Sequence, residues 1–168
     1  MVVHCFCSRC GRELHRASKW TTPVRPMFEE DAPVLLAIEP CEHCAPRNEG
    51  RRLPVKHCIY GTTGHNPDDR ITLECIDHYV AKNTFGTRYL AQEIDAQPDN
   101  YDEIVMCGGY TSICLLANAV ILRSEFPDTP ISVRADLCFD KDEESHNAAL
   151  AVLRNQRIDV KCKGDKNV

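Results

Sequence analysis

From residue 75 onward, short apolar runs alternate with longer amphipathic segments, and no other feature limits the possible folds as sharply. "CIDHYVAK" (75–82) has the pattern of a strand, and "TRYLAQEIDA" (87–96) that of a short helix. "EIVMCGG" (103–109) is an apolar run closed by two glycines, as expected of a strand buried on both faces. A helix is predicted through "SICLLANAVILRSEF" (112–126), stopped by Pro127, and "PISVRAD" (130–136) gives the next strand. "DEESHNAALAVLRNQ" (142–156) carries acids in its first turn and arginine near its end, which suits a helix dipole. "RIDVKCK" (157–163) closes the series as a strand. Such alternation predicts an α/β domain with parallel strands joined by right-handed crossovers and helices covering the sheet. Ligands of such sheets bind beyond the carboxyl ends of the strands. Lys82 and the loop 108–114 both fall at such ends.

The first part of the chain has a different character. Five of the 11 cysteines fall in the first 44 residues, and four of them form the pairs "CSRC" (7–10) and "CEHC" (41–44). Each C-x-x-C unit can turn two thiolates toward one point, so Cys7, Cys10, Cys41 and Cys44 make the four sulfurs of a tetrahedral structural zinc site. Gly11 suits the tight backbone of such a knuckle, and "VLLAIEPC" leads an apolar strand into the second pair. About 30 residues separate the pairs, against the ~15–20 of the compact pattern, so a long loop or hairpin lies between them. Cys5 or His4 is an alternative ligand. The competing readings are free buried thiols or a redox pair, though no βαβ context surrounds either unit. "CAPRNEGRRLP" (44–54) has the composition of a linker. The predicted organisation is therefore a zinc-ribbon-like module over 1–48 and an α/β domain over 49–168.

Composition excludes several classes. With 43% hydrophobic and 27% charged residues the chain has the balance of a soluble globular protein. Its formal charge of -5 argues against a nucleic-acid surface. No apolar run approaches the ~20 residues that span a bilayer, and "MVVHCFCSRC" is not a secretory signal. A cytoplasmic location is expected, where clustered cysteines stay reduced and bind metal or do chemistry.

Among the remaining cysteines, Cys114 stands apart by position. It lies in the first turn of its predicted helix, where unsatisfied amides and the dipole favour a thiolate. The two glycines before it let amides turn inward, as an oxyanion hole requires. A lysine at a neighbouring strand end would favour the thiolate further. Taken alone, the same pattern also describes a core cysteine on an apolar helix.

Five pieces in order carry a resemblance: "EGRRLPVKHCIYGTTG", "KNTFGTRYL", "EIVMCGGYTSICLLANAVIL", "PISVRAD" and "EESHNAALAVLRNQRIDV". Over residues 49 to 162 the chain resembles the isochorismatase-like cysteine hydrolases, a superfamily that includes nicotinamidases. The resemblance implies a Rossmann-like three-layer α/β fold and hydrolysis of a C–N bond in a small-molecule amide. It makes Cys114 of the G-x-x-T-x-x-C motif the nucleophile and Lys82, ahead of "TFG", its companion. It also implies a cis peptide between Gly109 and Tyr110, with the amides of Tyr110 and Cys114 facing the oxyanion. The family's T-D-x-C reads "TSIC" here, Ser112 replacing the acid. His57 and His146 lie in matching segments and are expected to hydrogen-bond the scaffold. Cys58, Cys75, Cys107, Cys138 and Cys162 are expected to fill the core.

The family opens on a strand ending in the aspartate that takes the thiol proton, then a second strand and, in nicotinamidases, an Asp-x-His metal pair. None of these is evident before residue 49. "PVLLAIEP" has the shape of a first strand, with Glu39 as a longer substitute base. Three ways of closing the gap follow: strand 34–39 fills it, a second subunit covers it in a homo-oligomer, or the domain is degenerate. Two functions follow in turn. One is a cysteine hydrolase, impaired if the base is lost, for which nicotinamide is one candidate substrate. The other is a non-catalytic, zinc-holding interaction or assembly module.

Overall fold

In the computed structural model of the chain, residues 2–6, 34–38, 76–82, 84–97 and 101–165 are described. The described strands are β1 (Val2–Phe6), β2 (Val34–Ile38), β3 (His78–Ala81), β4 (Ile104–Gly109), β5 (Ile131–Phe139) and β6 (Asp159–Lys161). They form one six-stranded sheet in the order β3-β2-β1-β4-β5-β6, and every pairing is parallel. The chain builds outward from β1 to β3, then returns to lay β4 on the other side of β1. That reversal places a topological switch point between β1 and β4, where α/β sheets open a crevice at their carboxyl edge.

Two strands expected to be missing are therefore present. β1 holds the centre of the sheet, in register with β2 from Val2↔Val34 to Phe6↔Ile38 and with β4 from Val2↔Val105 to Cys5↔Gly108. Strand 34–38, predicted as a stand-in for the first strand, occupies the second position and pairs β3 through Leu35↔His78 to Ile38↔Ala81. A division at residue 48 does not divide the sheet, because both described strands before it belong there. Of the three ways of closing the gap, a strand from this chain itself fills the centre of the described sheet. "VVHCF" escaped notice because a five-residue apolar run next to a cysteine pair has no periodicity to separate strand from metal knuckle.

The later elements follow the predicted pattern. Helix α1 (Arg88–Asp95) starts at Thr87, whose Oγ1 accepts from the Tyr89 amide at 3.3 Å. A π-helical turn (Thr111–Leu115) runs directly into α2 (Leu116–Glu125). Helix α3 (Glu143–Asn155) is capped by Asp142, which accepts from the Ser145 amide at 2.7 Å. That backbone bond is the main reason the Asp142 carboxyl is held below its ordinary range. The far end of α3 closes with Ile158 N–H on Leu153 O and Arg157 N–H on Arg154 O. Arg157 takes the left-handed position there (φ 60°), and Leu153 and Ile158 are buried beside it.

β5 extends three residues beyond the predicted 130–136, because Cys138 and Phe139 go on to pair Gly108 and Gly109 after an irregularity in β4 between Met106 and Gly108. Such bulges cluster near active sites and re-aim the strand that carries them. Leu90, Ile94, Leu115, Leu122, Val133 and Leu153 belong to the core in which α1, α2 and α3 meet the sheet. Among the described residues no helix is long and apolar enough to cross a membrane.

Candidate active site

β3 and β4 deliver the two predicted site residues to the same edge of the sheet. Lys82 is the first residue after β3, and β4 ends at Gly109, five residues before Cys114. Lys82 is 1% exposed and Cys114 3%. The Lys82 ammonium donates to Cys114 Sγ at 3.7 Å and to Thr84 O at 3.0 Å. A buried lysine requires partners for its charge, and a thiol that can become a thiolate is one of the few that chemistry can use. The two residues are 32 positions apart in sequence, and the sheet brings them together.

The turn that carries Cys114 is built from the glycines outward. The peptide between Gly109 and Tyr110 is cis, as the resemblance implied. Gly108 has φ 103°, which favours glycine. Gly109 tolerates no side chain, since a Cβ there would lie 2.6 Å from Phe139 O and 2.7 Å from the Phe139 ring. The Tyr110 ring meets that of Phe139 edge-on, with centroids 5.9 Å apart. Beyond Tyr110 the backbone forms the π turn, where the Tyr110 carbonyl accepts from both Ile113 and Leu115 at 3.1 Å. Sequence reading predicts an ordinary helix start here. The wider turn is a common device at functional sites, and no residue pattern announces it.

Three side chains from the other strand and helices hold this turn. Thr111 Oγ1 lies 2.9 Å from both Phe139 O and His146 Nδ1. The hydroxyl has one proton and the carbonyl can only accept, so Thr111 donates to Phe139 and His146 donates from Nδ1 to Thr111. His146 thus has the scaffold role expected of it, whereas His57 lies outside the described residues. Asp140, just past β5 and 8% exposed, accepts from the Ser112 amide at 2.6 Å and from the Lys141 amide at 2.8 Å. Ser112 replaces the acid of the family pattern, and the carboxylate on this turn comes from Asp140 instead. Asn118 is fully buried and bonds both the Cys114 carbonyl and the loop after Lys82. Neither residue was among the expected site residues. Asp140 was hidden in the acid-rich "FDKDEE", while Asn118 carried a usable signal as a lone polar residue in the apolar "LLANAVIL".

Of the cysteines expected in the core, Cys107 is buried, Cys138 is half-buried and Cys162 is exposed, so Cys162 is a correction. It follows the edge strand β6, where one face meets water. Cys58 and Cys75 lie outside the described residues, as do Cys7, Cys10, Cys41, Cys44 and Glu39. Among the described residues no group of three or more histidines, cysteines or acids is placed to hold a metal.

The isochorismatase domain model matches residues 15–162. The chain belongs to the isochorismatase family. Solved structures of this fold agree along nearly the whole chain. The nicotinamidase/pyrazinamidase of Bacillus subtilis superposes with a TM-score of 0.70 at 18% identity, covering 95% of this chain and 97% of that one. The pyrazinamidase of Pyrococcus horikoshii, solved in complex with zinc, gives 0.68 at 14% identity over 96% and 98%. An isochorismatase-like hydrolase from Alkaliphilus metalliredigens gives 0.65 at 17% identity over 95% and 92%. No curated protein matches the chain. The family match begins at residue 15 and crosses residue 48, so it takes in β2.

Proposed function

We propose that this isochorismatase-family chain is a cysteine hydrolase that cleaves the C–N bond of a small amide through a thioester on Cys114. The observation that carries the proposal is the buried contact between Lys82 Nζ and Cys114 Sγ at the switch-point edge of the sheet. In the proposed reaction the Cys114 thiolate attacks the amide carbonyl carbon, and the amides of Tyr110 and Cys114 receive the oxyanion. Lys82 gives a proton to the departing nitrogen, which leaves as ammonia. The neutral amine then takes a proton from the water that attacks the thioester, and the carboxylic acid leaves as the thiolate reforms. Nicotinamide and pyrazinamide are the first amides to try, since they match what the similar solved enzymes are named for. A reducing, cytoplasmic setting suits a mechanism that needs a free thiol.

One observation favours the second reading, a non-catalytic assembly module. No aspartate or glutamate occurs between Val2 and Arg12, so no carboxylate follows β1 as the family pattern requires. Peptide-level mass spectrometry after iodoacetamide treatment separates the two. At pH 7 Cys114 is expected to alkylate at least about tenfold faster than free cysteine, whose pKa is about 8.5. Labelling no faster than free cysteine would leave the assembly module as the better account.

The structural zinc remains part of the proposal. β1 ends one residue before Cys7 and β2 ends three residues before Cys41. Phe6 and Ile38 are register partners, so the strands that precede the two C-x-x-C units in sequence end side by side. Four thiolates are a soft donor set suited to tetrahedral zinc. Metal analysis of the purified protein should find about one zinc per chain. Less than a tenth of that would remove zinc from the account.

A further inference from the structure

The loop 84–87 and the nucleophile turn are joined by the buried side chain of Asn118 as well as by Lys82. Asn118 lies one helical turn after Cys114, and its Nδ2 donates to the Cys114 carbonyl at 2.8 Å and to Phe85 O at 3.1 Å. Its Oδ1 accepts from the Thr87 amide at 2.9 Å. Lys82 is tied to the same loop through Thr84 O. The contacts close a ring: Cys114 Sγ to Lys82, Lys82 to Thr84 O, backbone to Phe85 O, Phe85 O to Asn118, and Asn118 back to the Cys114 carbonyl. The loop also lies directly on the helix, because a Cβ on Gly86 would come within 2.8 Å of Ile121 Cδ1 and 3.1 Å of Ala117 Cβ.

This ring has a geometric consequence. Lys82 sits at the end of a long flexible stem, and a 3.7 Å contact with sulfur needs both ends held. The sheet fixes where the lysine leaves β3, and Asn118 fixes the loop against the turn that carries the sulfur. An amide can do this because it offers two donors and an acceptor on a short, planar group. A hydroxyl at 118 could bond the carbonyl four residues back, but would not span to Phe85 O as well.

We propose that Asn118 is a positioning residue that sets the Lys82–Cys114 contact and, through it, the thiolate content of Cys114. The proposal rests on the cysteine-hydrolase reading above and adds to it the residue that makes the pair.

The test is a pH profile of Cys114 alkylation by iodoacetamide, read on the Cys114 peptide of the full chain. It compares wild type, Asn118→Leu, Lys82→Met and the double variant. Asn118→Leu is expected to raise the midpoint of the profile toward that of free cysteine and to slow labelling at pH 7 about tenfold. The double variant should label no more slowly than Lys82→Met alone, because Asn118 acts through the lysine. Should Asn118→Leu fail to fold by circular dichroism, Asn118→Thr takes its place, keeping the bond to the Cys114 carbonyl but losing the span to the loop. The expected result for it is the same upward move of the midpoint. A fast wild-type thiol whose profile is unchanged in the folded variant would overturn this proposal alone, and so would additive losses in the double variant. A wild-type thiol no faster than free cysteine would overturn the hydrolase reading and this proposal with it.

Discussion

Replacing Cys114 by alanine is expected to reduce ammonia release from the substrate amide on the order of 10⁴-fold or more, to the uncatalysed background, with melting behaviour close to wild type. The side chain is 3% exposed and small, so alanine leaves only a minor void while deleting the sulfur on which the proposed thioester would form. Lys82→Met keeps the length and the apolar stem but removes the ammionium group that faces sulfur. It should lower turnover about 10²–10³-fold, the range typical of a lost proton-transfer group. The two losses are not additive, since without the thiol the lysine has nothing to assist. A steady-state ammonia assay on wild type, both single variants and the double variant checks this. Equal turnover in wild type and Cys114→Ala would remove Cys114 from the mechanism.

Gly109→Ala is the second large effect, and its origin is steric. The added methyl would lie 2.6 Å from the Phe139 carbonyl oxygen, a backbone atom held by the β4–β5 pairing at Gly109↔Phe139. Neither side can yield cheaply: the oxygen also accepts from Thr111, and the Phe139 ring packs on Tyr110. The strands must separate at the carboxyl edge, at a cost of about 3 kcal/mol, the upper end of overpacking penalties. Tyr110 and Cys114 follow Gly109 on the same turn, so turnover should fall together with stability. Chemical denaturation with a parallel activity measurement checks both. A loss of less than about 0.5 kcal/mol would mean that β5 gives way more easily than the pairing implies.

The later half of the fold was legible because its patterns are long. "SICLLANAVILRSEF" and "DEESHNAALAVLRNQ" are each long enough for helical periodicity to show, and Pro127 and Asp142 punctuate them. β1 was not legible, because a short apolar run among cysteines is compatible with a strand or a metal knuckle. Only its pairing with β2 and β4 shows it to be the central strand. Position at predicted strand ends drew attention to Cys114 and Lys82, and the family resemblance implied their roles and the cis bond. Asn118 was marked only as a lone polar residue in an apolar helix, and Asp140 not at all, since their partners are a loop and a backbone amide roughly 30 residues away. Hydrogen bonds to backbone atoms place no demand on the partner's residue type, so the sequence does not reveal which segment the side chain will meet.

By itself the sequence determined the strands and helices from residue 75 onward, the parallel α/β class and the identity of the sulfur and ammonium that meet. Residue chemistry and local periodicity are encoded position by position, and both could be read without knowing what lies opposite. Tertiary structure alone decided which strand holds the centre and that the nucleophile sits in a π turn. It alone decided that Asp140 supplies the carboxylate on the Ser112 amide, and that Asn118 closes the ring around the Lys82–Cys114 contact. Each of these depends on distances between segments far apart in the chain, and such distances exist only once the sheet has formed.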